Sequence, residues 1–264
     1  MYSWDLLPNF LQSIFPSNYS YIIQCITKLP PYRTEEGFEI DQFKIDVFVN
    51  VATAESAEIW FSAFENHSKM TLPQTKGYEI KGKRVIFRQL WHCIHSQKVR
   101  KKQGNFEVKL KQSMRNRNTG CSATLHLRLE RRNISTSHPL EVNLAFTHNH
   151  FINSAESLGF RRVSEETRKK FIQMFYDGHS PASAIYTYED ELHLSASSNE
   201  ELIEVLADRA VNPDYTYVVH LFEHCHDSQL GGRNGIPMFQ RLIEDVSNYN
   251  ASGRGRAIIQ EYDS

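Results

Sequence analysis

"FTHNHF", residues 146–151, ends the run from Pro139 to His150 and places His148 and His150 one residue apart. Successive strand side chains point to opposite faces, so residues i and i+2 share one face. Read as extended chain, this segment aims both imidazoles at one point, which a single metal ion would explain. Working backward, "CSATLHLRL" (Cys121 to Leu129) alternates, and "RVIFRQLWHC" (Arg84 to Cys93) mixes β-branched and aromatic residues. Both read as strands. In an antiparallel meander, Cys93 at the end of one strand, Cys121 at the start of the next and the two histidines at the end of a third fall at one end of the sheet. Residues 69 to 151 are therefore expected to form a small antiparallel sheet with long basic connections.

Two cysteines and two histidines suit zinc, which takes four soft or borderline ligands in a tetrahedron and, in structural sites, closes all four positions. The spacing, with 27 residues between the cysteines and 26 before His148, is not that of a tight cysteine knuckle. The competing account is two unrelated buried cysteines and two surface histidines. His92 and His95 flank Cys93 as rival ligands, whereas His126 and His138 read as ordinary sheet or loop residues. The four cysteines are too dispersed for a disulfide framework, so a reducing compartment is expected.

The formal charge of -1 conceals an asymmetry. Residues 81 to 132 carry 15 Lys and Arg against two acids, for +13, while residues 1 to 80 carry -5 and residues 133 to 264 carry -9. A basic segment inside a nearly neutral chain suggests a polyanionic partner. Lys98, Arg100, Lys101, Lys102, Arg115 and Arg117 are expected to meet phosphates or to form a nuclear-localisation patch; the alternative is a solvated loop. No run is apolar enough for a membrane span, and the aromatic N-terminus, broken by Asp5, Pro8 and Pro16, is a poor signal peptide.

Before the sheet, "LPPYRTEEG" (Leu29 to Gly37) reads as a linker because Pro30-Pro31 interrupts a ladder. "FKIDVFV" (Phe43 to Val49) alternates like a strand, and Thr53 to His67 reads as a helix capped by Thr53, with Ala57, Trp60, Phe61 and Phe64 on one face. Residues 1 to 52 are thus an N-terminal flank of unclear role, and 53 to 151 a zinc-binding unit. Residues 152 to 264 form a helical domain. Ser164, Ser180-Pro181, Ser198 with Glu201, and Asn212-Pro213 mark successive helix starts. The stripes Val218, Leu221, Phe222, Cys225 and Phe239, Leu242, Ile243, Val246 are expected to be core faces. "RAIIQEY" near the end reads as a strand. The fold class expected is α+β: a zinc-stapled antiparallel sheet followed by an all-α domain.

The pattern "LWHC…TGCSATLHLRL…LAFTHNHF" resembles the zinc-binding core of the WRKY and glial-cells-missing superfamily. In style it is closest to the far-red-impaired-response domain and to related domains of Mutator-like transposases and the calcium-responsive transcription factor. Cys93, Gly120-Cys121, Ala123 and His148-Asn149-His150 match position by position over about residues 55 to 151. The likeness extends more loosely through "GHSPASA", "ADRAVNP" and "MFQRLIEDVSNYN". It implies one structural Zn(2+) held by Cys93, Cys121, His148 and His150, a nuclear location and double-stranded DNA as partner. The reading strand would be the one before the first cysteine strand, with Lys69, Thr71, Gln74 and Lys76 on the bases and Lys81, Lys83 and Arg84 beside them. The plant DNA-reading heptapeptide is absent, so no sequence preference carries over. The RNase H-like catalytic domain would begin near residue 257, so no strand transfer is expected from this chain.

Two further classes stand beside this one. A zinc-stabilised module could bind protein or RNA, and the acidic helical half could dock a protein partner or self-associate. His220, Glu223 and His224 match the inverted zinc-protease pattern H-x-x-E-H, but such a peptidase needs a third ligand well downstream, where only Glu244 and Glu261 are glutamates.

Overall fold

The structure, a computed structural model, describes residues 2–77, 84–97, 118–230 and 235–259. The chain divides into two compact units, Met1–Arg162 and Val163–Ser264.

The first unit is built on one antiparallel sheet with strand order β1-β2-β3-β7-β6-β5-β4. Its strands are β1 (Tyr2–Ser3), β2 (Ser20–Arg33), β3 (Glu39–Val49), β4 (Gln74–Gly77), β5 (Val85–His92), β6 (Thr124–Glu130) and β7 (Leu140–Phe146). The meander from β4 to β7 is the one expected, but it does not stand alone. β7 pairs with β3 along Phe43–Val49, so the N-terminal flank completes the same sheet. The linker assigned to Leu29–Gly37 is corrected as well, because Pro30 and Pro31 lie within β2. A register irregularity between Leu29 and Tyr32 accommodates them, and β2 pairs with β3 on one side, leaving proline's missing donor at an irregular position.

Strict alternation gives the sheet one apolar face. Leu125, Leu127 and Leu129 of β6, Leu140, Val142 and Leu144 of β7, and Ile45, Val47 and Val49 of β3 are buried. They share one core with Leu11 of α1 (Asn9–Gln12) and with Ala57, Trp60 and Phe64 of α2 (Ala54–Ser68). Thr53 caps α2 as its sequence suggests, its hydroxyl accepting from the Ser56 N–H at 3.1 Å. The opposite face is polar. Arg88, His126, Asn143 and Asp46 form a hydrogen-bonded ladder across four strands, with His126 the ordinary sheet residue expected. His138 is buried against Ser20 at 2.9 Å.

The second unit contains α4 (Glu165–Tyr176), α5 (Pro181–Ser195), α6 (Asn199–Ala207), α7 (Tyr215–Leu230) and α8 (Gly235–Ala251), after the single turn α3 (Ala155–Leu158) that ends the first. Ser164, Ser180 and Ser198 cap α4, α5 and α6 through their hydroxyls. Directly after the Asn212-Pro213 start, Asp214 caps the first turn of α7, its carboxylate accepting from the Tyr217 N–H at 2.9 Å. Phe171, Met174, Ala184, Tyr188, Leu192, Val218 and Leu221 form the core of this unit. Of the two stripes expected to be core, that of α7 is seated, with Phe222 and Cys225 half-buried. That of α8 is not: Leu242 and Ile243 are 48% and 46% exposed. "RAIIQEY" carries no strand over residues 256–259, and its remainder lies outside the described residues. No described helix is long and apolar enough to cross a membrane.

Candidate metal centre

β5 and β7 end, and β6 begins, at the same end of the sheet, and the four expected ligands lie just beyond those ends. Cys93 follows β5 directly, Cys121 precedes β6 by three residues, and His148 and His150 occupy the bend after β7. The i, i+2 strand argument is therefore corrected: the histidines converge because the chain bends after Phe146, not because it stays extended.

The convergence is held by side chains that carry no metal. Asn149, between the two histidines, donates through Nδ2 to the Thr119 carbonyl at 2.8 Å, and its Oδ1 accepts from the Thr119 hydroxyl at 2.8 Å. This clamps the histidine bend to the loop before Cys121. In that loop Gly120 adopts φ +74°, a conformation open to glycine at no cost, and its N–H donates to Asn118 Oδ1. The Cys93 N–H donates to the Ala123 carbonyl, and the Cys121 N–H to that of His95. Gln42 of β3 donates to the His148 carbonyl at 2.9 Å, which gives the N-terminal flank a direct part in the site.

Cys93, Cys121, His148 and His150 offer donor atoms that all lie within 4.8 Å of one another. His150 Nε2 is 3.3 Å from Cys93 Sγ and 3.3 Å from His148 Nδ1, and His148 Nδ1 is 3.5 Å from Cys121 Sγ. For a tetrahedral ion with metal–sulfur bonds of about 2.3 Å and metal–nitrogen bonds of about 2.0–2.1 Å, the edges are about 3.3 Å between nitrogens and about 3.6 Å between nitrogen and sulfur. These three edges, one between nitrogens and two between nitrogen and sulfur, fit. The buried Cys2His2 cluster can hold a metal ion.

The outer nitrogens of the two rings are engaged in a manner that frees the inner ones. His150 Nδ1 donates to Ser157 Oγ at 3.2 Å, leaving Nε2 to face the centre. His148 turns the other way, with Nε2 against Met70 Sδ at 3.0 Å and Nδ1 inward. Such partners fix the tautomer of a ligating imidazole. Burial lowers the His148 imidazole below its ordinary value, keeping it neutral and able to donate a lone pair. The hydrogen bond between the thiols draws Cys121 strongly down, with His148 and His150 adding to it, and pushes Cys93 up together with burial. The thiolate is the ligand form, so a cation held here would displace thiol protons.

His92 and His95 stay outside the donor group. Both are buried, and the His95 ring packs 4.2 Å from that of His150 and edge-on to Phe160. Among the described residues this tetrad is the one such group. His220 and Glu223 of α7 sit 3.4 Å apart on an exposed surface, 72% and 40% accessible, and among the described residues the H-x-x-E-H pattern forms no group of three donors.

The residues expected to touch DNA are placed unevenly. Lys69 ends α2 in the left-handed region at φ 57° and is half-buried. Thr71 is corrected: it is 8% exposed, with its carbonyl accepting from the Ile94 N–H, so its hydroxyl is not offered to a groove. Gln74 and Lys76 stand on the edge strand β4, opposite Trp91 and Leu90, and Arg84 is exposed. Lys81, Lys83, Lys98, Arg100, Lys101, Lys102, Arg115 and Arg117 lie outside the described residues. Two basic residues of the +13 segment are otherwise committed, since Arg128 and Arg132 both pair with the buried Glu130 carboxylate. Thr119, Asn149, Gln42, Ser157 and Met70 escaped sequence reasoning as supporting residues; only the short "TGC" and "HNH" strings hinted at two of them.

Comparison with protein-family models, curated proteins and solved structures finds no match to this chain.

Proposed function

We propose that this protein is a zinc-dependent DNA-binding protein of the nucleus, similar to the targeting region of a Mutator-like transposase or to a regulator derived from one. The observation that carries the reading is the tetrad itself, two thiols and two imidazoles whose donor atoms all lie within 4.8 Å of one another. Tetrahedral S2N2 donor sets favour zinc among the common metals. Four protein donors leave no open coordination position, so the ion is structural.

The DNA part of the reading is supported by where the tetrad sits. The Cys93 turn is hydrogen-bonded to residue 71 through Ile94, and β4 begins opposite Trp91, two residues before Cys93. A metal at this end therefore braces the edge strand that the family likeness implies as the reader. Lysine on an edge strand also discourages sheet-to-sheet pairing, so Lys76 alone does not argue for DNA. The chain's basic segment leads directly from this strand, and it is the polyanion partner that gives its charge a use.

The test is binding to a pool of double-stranded DNA over a salt series, beside single-stranded RNA. Six to eight phosphate contacts predict a log–log slope of about -5 to -7. Lys76→Ala with Arg84→Ala should weaken binding and flatten the slope by about two. A zinc-loaded protein that binds neither nucleic acid, or prefers RNA, would overturn the DNA reading and leave a protein- or RNA-interaction module.

A further inference from the structure

α8 carries an apolar stripe that the described residues of its own unit cover only in part. Ile236, Phe239, Leu242, Ile243, Val246 and Tyr249 recur at three- and four-residue spacing and so share one helical face. Phe239 and Val246 are half-buried, but Ile236, Leu242, Ile243 and Tyr249 are 76%, 48%, 46% and 45% exposed. Isolated exposed apolar residues need no explanation, whereas a contiguous stripe along one helix does.

From the chemistry of this face, we propose that α8 is a self-association surface whose occupant is α8 of a second copy of this chain, packed antiparallel. Two features select a second copy. The ionised side chains of the helix are paired within it on the far side, Arg241 with Glu244 at 3.5 Å and with Asp245 at 3.6 Å. One rim of the stripe holds neutral Gln240 and Ser247. The face thus asks for neither a cationic nor an anionic partner, and apposing two copies brings no like charges together at its centre.

The second feature is the order of side chains about the midpoint between Leu242 and Ile243. A two-fold axis there sets Phe239 against Val246 of the second copy, Leu242 against Ile243, and Ile236 against Tyr249. Each larger ring meets an aliphatic side chain, the arrangement that lets facing layers interdigitate. The stripe spans 13 residue steps, about 20 Å of helix, enough for a reversible contact rather than an obligate one. The inference is independent of the zinc and DNA readings, since every residue in it belongs to the second unit.

Sedimentation equilibrium of the full chain over about a hundredfold range of concentration tests it. The expected result is a reversible shift from the 30.7 kDa chain mass to twice that value. Leu242→Glu combined with Ile243→Glu should remain monomeric throughout, with helical circular dichroism and metal content unchanged. Leu194→Glu, at an 88% exposed apolar site on α5, should dimerise like wild type. Because a doubly charged helix could fray, Ile243→Ser alone serves as a second variant, expected to weaken the dimer at least tenfold, about 1.4 kcal/mol. A wild-type chain that stays monomeric, or a dimer unmoved by the α8 variants, overturns the proposal.

Discussion

Asn149 stands between the two histidines of the candidate metal centre, and its amide grips Thr119 at both the carbonyl and the hydroxyl. It touches no donor atom, yet it holds the histidine bend against the Cys121 loop. Asn149→Ala is expected to lower zinc affinity about 10–100-fold while the folded protein still binds the ion, as read by competition with a chromophoric chelator. Unchanged affinity would mean that the bend holds itself. Glu65 shows a different residue-level effect. Its carboxylate accepts from the Leu72 N–H at 2.7 Å, but burial raises its affinity for protons above the ordinary value, against the pull of that bond and of Arg162 and Arg161. The folded chain therefore binds this proton more tightly than the unfolded one. Between the unfolded value near about 4.3 and the higher folded value, stability falls as pH rises. Glu65→Gln keeps an acceptor for Leu72 and removes the charge, so it should abolish that fall and be no less stable than wild type at neutral pH. Urea midpoints from about pH 4 to 7 check the sign. The four candidate ligands were legible in the sequence because cysteine and histidine advertise their chemistry, whereas Asn149, Gln42 and Ser157 act through hydrogen bonds that any polar residue could form.

Among the elements, α2 has the most consequential packing. Trp60 and Phe64 are fully buried and stack at 5.2 Å, and Phe61 lies over Trp91 of β5 at 4.2 Å, one residue from the strand's end and two from Cys93. Helix packing and the placement of Cys93, the first candidate ligand, are therefore coupled. Trp60→Ala should cost about 3–5 kcal/mol in urea unfolding. A cost under about 1 kcal/mol would show that the sheet does not depend on this helix. The alternation of β6 and β7 and the hydroxyl caps of α2, α4, α5 and α6 could be read directly, since a two-residue period and an N-cap are local signals. The role of β2 could not. Its proline pair argues locally for a break, and only pairing with β3, with an irregular register between Leu29 and Tyr32, overrides that signal. The stripe of α8 misled for the converse reason: helical periodicity identifies an apolar face but not what covers it.

For the whole molecule, two compact units with separate cores predict two separable stabilities. A structural zinc contributes on the order of 10 kcal/mol to the module that holds it. A strong chelator should therefore abolish the unfolding transition of the sheet unit and leave that of the helical unit in place, as followed by tryptophan fluorescence beside helical circular dichroism. Trp4, Trp60 and Trp91 all belong to the sheet unit, so the fluorescence reports on it alone. Loss of both transitions together would show that the units are energetically one. The charge asymmetry was visible in the sequence at this scale, but its use was not, because charge names a class of partner and only geometry names a surface.

X-ray absorption at the zinc edge of the purified protein tests the central claim most directly. One equivalent of zinc should show two sulfurs at about 2.3 Å and two nitrogens at about 2.0–2.1 Å, and Cys121→Ser should lower the sulfur count or lose the ion. A shell of oxygen and nitrogen alone, or protein that retains no zinc when purified without chelator, would contradict it.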